Sequence, residues 1–223
     1  VLLLGIRQDT TAQMAFVELE TLSDLQVSRI TNVDEVEVDL NHAREKWTQY
    51  YLTPKELDLI RELEDSNVFG RLGQYADVDV GVVTGRNEFF VLAQNEADRL
   101  GLLDRCLPLV GRSFQIPGLV LRREEWEALV AANSKCLLLQ LGDVPRLSLS
   151  PSALSYVETG EQKAYHEGYK CRIRLPHWWK VPSDWAPDAF LLRQIYDGPR
   201  IVENRVGATS TDTIHRIRTK NGV

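Results

Sequence analysis

Apolar positions change their period several times along the chain. "VLLLGI" (1–6) and "MAFVELE" (14–20) are apolar runs separated by the polar "RQDTTAQ", and they predict two neighbouring strands. "DEVEVDL" (34–40) alternates with a period of two and predicts another strand. The period then lengthens, with Leu57, Ile60 and Leu63 recurring at helical spacing in "TPKELDLIRELEDS". Thr53 fits an N-cap, Pro54 the first helical position and Glu56 the reciprocal capping partner, so a helix over about 54–65 is expected. From Tyr75 the alternation returns: "DVDVGVVTGRNEFFVL" sets two apolar runs around Thr84, Gly85, Arg86 and Asn87, which is hairpin chemistry with Gly85 or Asn87 at positive φ.

Helical patterns follow at 94–101 and 122–133, "KCLLLQL" (135–141) predicts a buried strand, and Ser150 with Pro151 opens another short helix. The last third, with "YKCRIRL", "AFLLRQIY" and "RIVENR", predicts strands broken by Pro176, Pro182, Pro187 and Pro199. The class this predicts is α+β: strands that look like the edge of a domain, then a mixed, strand-rich domain with short helices over 46–223.

Composition bounds the class without naming it. A chain of 223 residues with 43% hydrophobic and 26% charged content lies in the ordinary globular range. No apolar run approaches the roughly 20 residues of a membrane span, so no membrane is expected among the partners and the expected location is cytoplasmic. The chain opens on Val1, and "VLLLGI" has neither a basic flank nor a small-residue cleavage site; it reads as cut from something longer, not as a signal peptide. Cys106, Cys136 and Cys171 are odd in number, far apart and outside any CxxC, which reads as reduced and structural.

Charge changes the picture. A net charge of −6 argues against a nucleic-acid partner only as an average. Residues 1–70 carry six Lys and Arg against fourteen Asp and Glu, whereas residues 168–223 carry ten against five. The basic charge is gathered at the C-terminal end, and a local excess on one face is what phosphates need.

Catalytic signatures are missing from the sequence. There is no GxG, no GxxxxGK[ST] loop, no GxSxG elbow and no HExxH. His42, His166, His177 and His215 are scattered, and each reads as a surface or packing residue. Asp77 and Asp79 alternate along a strand, where a solvated face explains them. What remains is of binding type. Arg86 sits on an exposed turn with Thr84 and Asn87. Arg172 and Arg174 fall on one face of the expected strand, and Trp178 and Trp179 are adjacent, so in an extended chain one indole points inward and the other, beside His177 and Lys180, outward as a base-stacking candidate. Asn204, Arg205, Thr209, Thr211 and Arg216 supply the amide, hydroxyl and guanidinium donors that contact phosphates and base edges.

"GVVTGRNEFFVL" followed by "LGL", then "CRIRLPHWWKVP", then "PRIVENRVGATSTDTIHRI" resembles the C-terminal target-recognition region of TaqI-type adenine-N6 DNA methyltransferases of restriction-modification systems. The resemblance covers roughly residues 70–220. It implies double-stranded DNA as partner, with Thr84, Arg86, Asn87, Arg172, Arg174, Trp178, Trp179, Lys180, Asn204, Arg205, Thr209, Thr211 and Arg216 as DNA-binding residues. It also implies an upstream catalytic domain of the same polypeptide, where such enzymes hold S-adenosylmethionine and the flipped adenine. This chain has no Pro-Pro pair and no glycine-rich loop, so no catalytic residue and no cofactor is assigned to it. "VLLLGI" and "AFVELE" resemble the last strands of that catalytic domain, which makes 1–45 its expected remnant. Two other readings stay open: a protein-interaction or regulatory module with a basic C-terminal face, and an enzyme acting on RNA.

Overall fold

A computed structural model describes residues 13–16, 21, 36–39, 46–66, 68–195 and 198–220. The expected strand over 1–6 and His42 lie outside the described residues. The chain divides into two compact units, Val1–Gly70 and Arg71–Val223.

In the first unit, strands β1 (Gln13–Phe16) and β2 (Val36–Asp39) pair antiparallel, Gln13 opposite Asp39 and Phe16 opposite Val36. Helix α1 (Pro54–Asp65) begins where its capping signals place it. The Glu56 amide donates to the Thr53 hydroxyl and the Glu56 carboxylate accepts the Thr53 amide, a reciprocal cap that satisfies two otherwise unpaired donors.

The second unit is built on two sheets. Strands β4 (Val91–Leu92), β5 (Cys106–Val110), β7 (Leu137–Leu139) and β10 (Thr209–Ser210) form one, in the order β10-β5-β7-β4. The other runs β3-β11-β8-β9-β6, from β3 (Ala76–Asp79), β11 (Ile214–Thr219), β8 (Ala189–Leu192), β9 (Ile201–Asn204) and β6 (Val120–Leu121). Around them lie the one-turn helix α2 (Leu72–Tyr75), then α3 (Asn87–Phe90), α4 (Gln94–Arg99), α5 (Arg123–Ala131), α6 (Pro151–Gln162) and α7 (Tyr169–Arg172). Helices and mixed sheets are interspersed, so the fold is α+β. One core gathers Phe89, Phe90, Leu92, Leu138, Val157, Trp178 and Trp179; a second gathers Val110, Ile116, Phe190, Val202 and Ile214.

Three short segments run parallel at one edge. β10 pairs parallel with β5, Thr209 opposite Leu109 and Ser210 opposite Val110, and Val82 bridges Thr211 in the same sense. The loops that leave Val82 and Val110 therefore start at the same end.

Two expectations are corrected. The predicted hairpin over Thr84–Asn87 does not form, because β3 and β4 belong to different sheets. Phe89 and Phe90 are both buried, which one turn of helix permits and a one-faced strand does not. "YKCRIRL" is likewise not a strand but α7 and the turns after it. A strand would send Cys171, Ile173 and Leu175 inward together; instead Cys171 is buried while Ile173 and Leu175 are more than half exposed.

Candidate nucleic-acid interface

The Thr84–Asn87 segment is a tight connector seated on α7. Gly85 has φ +80°, and a Cβ there would lie 2.5 Å from the Lys170 Cβ, so the position suits only glycine. The buried Thr84 hydroxyl donates to the Asn87 amide oxygen and accepts the Arg86 N–H at 3.3 Å. That fixes the backbone under Arg86. Its guanidinium lies 5.2 Å over the Tyr165 ring, with Nε buried and unpartnered among the described residues. Lys163 lies 5.8 Å from the same ring, and Lys170 lies 5.5 Å over the exposed ring of Tyr169. Arg172, on α7, is exposed, and its guanidinium makes no ion pair with a described residue. Glu88, 3.9 Å from Arg86, and Glu167 are the acids of these segments. A cleft of ≈ 530 Å³ opens beside them, with the acids Glu88 and Glu96 as well as Arg99, Lys163 and Tyr165 in its lining. Three cations, Arg86, Lys163 and Lys170, and two tyrosines thus line the connector and the start of α7, the combination that binds a phosphate backbone while offering rings to bases.

Most other candidates are turned inward. Arg174 donates to the carbonyls of Val83, Thr84 and Lys180 at 2.6–3.1 Å, and burial lowers its pKa from the ordinary guanidinium value. Arg172 and Arg174 therefore do not share an outward face. Arg216 is 2% exposed; it donates to the carbonyls of Val80, Ser183 and Trp185 and stacks 4.3 Å from the Trp185 ring. No donor is left for a phosphate. Asn204 clamps the Val206–Ala208 turn, donating to the carbonyls of Pro187 and Ala208 and accepting the Ala208 N–H. Thr209 donates to the Trp185 carbonyl and Thr211 to that of Gly111, both from buried positions. Arg205 is exposed and paired with Glu203 at 2.8 Å. Lys180 is paired with Asp143.

The tryptophans correct the alternation argument, for Trp178 and Trp179 are 1% and 2% exposed. They lie in a turn, where the Lys180 N–H donates to the His177 carbonyl, and a turn lets neighbouring side chains enter one core. Trp178 packs 4.6 Å from Phe89 and donates to Glu161 at 3.2 Å.

Lys163, Tyr165, Tyr169 and Lys170 were missed from the sequence. The signal was there in "KAYHEGYK", where lysines and tyrosines interleave.

A family described as the C-terminal domain of the Type II methyltransferase M.Eco57I matches residues 44–223. The chain belongs to that family. This C-terminal methyltransferase domain includes the connector, α7 and both sheets of the second unit, and the family expected from the three resembling segments is borne out. No curated protein matches the chain. Among the described residues, no cluster of His, Cys, Asp and Glu is arranged to hold a metal, and no helix is long and apolar enough to cross a membrane.

Proposed function

We propose that this methyltransferase C-terminal domain recognises the DNA target of a site-specific adenine-N6 DNA methyltransferase in a restriction-modification system. The observation that carries the reading is the wall around the Thr84–Asn87 connector, where Arg86, Lys163 and Lys170 stand beside Tyr165 and Tyr169, with Arg172 exposed on the same helix as Lys170. The cations neutralise phosphates and set the register of the duplex, and an exposed tyrosine supplies a face for a base. S-adenosylmethionine supplies the transferred methyl group, bound by a catalytic domain of the same polypeptide, where the adenine is turned out of the stack. No residue of this chain is assigned to that cofactor.

Binding of the whole chain to a DNA duplex, titrated against salt, tests the reading. Log affinity falls linearly with log salt, and Lys170→Gln and Arg172→Gln each lower the slope by about one if each residue holds a phosphate. Unchanged slopes in both variants remove the proposed wall. Preference for an acidic peptide over the duplex supports a protein-interaction module instead, and preference for RNA an RNA-acting enzyme.

A further inference from the structure

The segment Gly111–Pro117, "GRSFQIP", follows β5 and is held at nearly every residue. The buried Gln115 side chain accepts the N–H groups of Gly111 and Arg112 at 2.7 and 2.9 Å and donates to the Lys135 carbonyl at 3.4 Å. The Gly111 carbonyl accepts the hydroxyls of Thr211 and Thr213 at 3.1 and 2.9 Å. Ile116 is anchored in the second core, and Arg200 donates to the Pro117 carbonyl. In the middle of this restrained segment Phe114 stands 74% exposed. Arg112, two residues before it, is exposed, and its guanidinium makes no ion pair with a described residue. A large ring held in water on a fixed support forgoes the burial that a loose loop would find for it. Such a ring is accessible to a partner outside the chain.

The parallel edge says where. Val82, Thr211 and Val110 are successive parallel segments, so the connector after Val82 and the loop after Val110 leave from the same end. With neighbouring strands about 4.8 Å apart, their starting points are separated by about 10 Å, a small fraction of a duplex footprint.

We propose that Phe114 is a wedge that enters between base pairs of the duplex held by the Arg86–Lys170 wall, with Arg112 neutralising a flanking phosphate. This rests on the DNA reading. An apolar side chain inserted at a base step unstacks it and bends the duplex, and the binding energy of the surrounding contacts offsets the unstacking.

The test compares the whole chain with its Phe114→Ala and Arg112→Gln variants on two duplexes, one fully paired and one with a single mismatched pair. Phe114 is exposed, so its variant keeps the near-ultraviolet circular dichroism and melting temperature of the parent. Phe114→Ala weakens binding to the paired duplex about tenfold, the scale of one lost stacking partner, with an unchanged salt slope, whereas Arg112→Gln lowers the slope by about one. The unaltered chain prefers the mismatched duplex, whose step is already loosened, and Phe114→Ala loses that preference. Equal affinities of the parent and Phe114→Ala overturn the wedge, as does a loss accompanied by a reduced slope, since the ring would then be supporting cations. A parent chain that binds no duplex removes the DNA reading and the wedge with it; a parent that binds duplex while Phe114→Ala binds equally well removes the wedge alone.

Discussion

Trp178 and Trp179 are both buried, but they differ in one bond. The Trp178 Nε1–H reaches Glu161, whereas the Trp179 Nε1–H is buried with no partner among the described residues. Truncation of either to alanine opens a cavity and costs about 3–5 kcal/mol. Phenylalanine separates them. At 178 it loses the bond and leaves the Glu161 carboxylate one donor short, so Trp178→Phe is the more destabilising variant. At 179 it removes an unpaired polar group whose burial costs about 1–3 kcal/mol, which offsets part of the lost packing. Urea denaturation measures the difference; equal losses for the two phenylalanine variants would mean that the Glu161 bond contributes nothing. Gly160 belongs to the same packing, since a Cβ there would lie 2.7 Å from the Trp178 ring and 2.9 Å from that of Phe89. At this scale the sequence shows which residues carry donors but not where the donors go. Arg174 and Arg216 look like Arg172 in the chain, and only the carbonyls of Val83, Val80 and Ser183, brought close by the fold, make them internal.

Among the elements, α1 was legible to the residue because Thr53, Pro54 and Glu56 act through contacts within one turn. The strands of "AFLLRQIY" and "RIVENR" were legible from alternation, and they pair with each other, Phe190 opposite Val202. The connector and α7 were not, because their conformations depend on contacts distant in sequence. Gly85 rests on Lys170, and Arg174 reaches back to Val83 and Thr84. Lone aromatic or basic alternation cannot reveal such pairings. The end of β11 has a similar tie, which is sensitive to pH. The Asp188 carboxylate accepts the Thr219 N–H at 2.8 Å and its hydroxyl at 2.9 Å, and these bonds hold its pKa below the ordinary aspartate value of 3.8. A carboxyl whose pKa is depressed on folding stabilises the fold above that ordinary value and loses the contribution as pH falls through the folded one. Asp188→Asn is therefore less stable than the parent at pH 7, with a gap that narrows below about pH 4. Urea midpoints at the two pH values measure it. A gap that stays constant would assign the loss to geometry instead of charge.

For the whole molecule, charge and cores divide differently along the chain. Among the described residues, both cores are drawn from residues 82–214, inside the Arg71–Val223 unit. The acidic excess lies elsewhere: residues 1–70 carry eight more acids than bases, while residues 71–223 carry twenty Lys and Arg against eighteen Asp and Glu. A fragment of residues 71–223 keeps both cores and is expected to remain folded, with the formal charge changed from −6 for the chain to +2. If the second unit holds duplex DNA through phosphates, the acidic segment opposes association through the field it adds, and removing it raises affinity. Such a field is screened within about 10 Å at 0.1 M salt, so the gain is largest in dilute salt and shrinks as salt rises. Duplex binding by the fragment and by the whole chain, measured from about 0.02 to 0.2 M salt, checks both the sign and the convergence. A fragment that stays folded yet binds more weakly at low salt would show that residues 1–70 contribute DNA contacts of their own, and the recognition surface would then extend beyond the wall around Arg86.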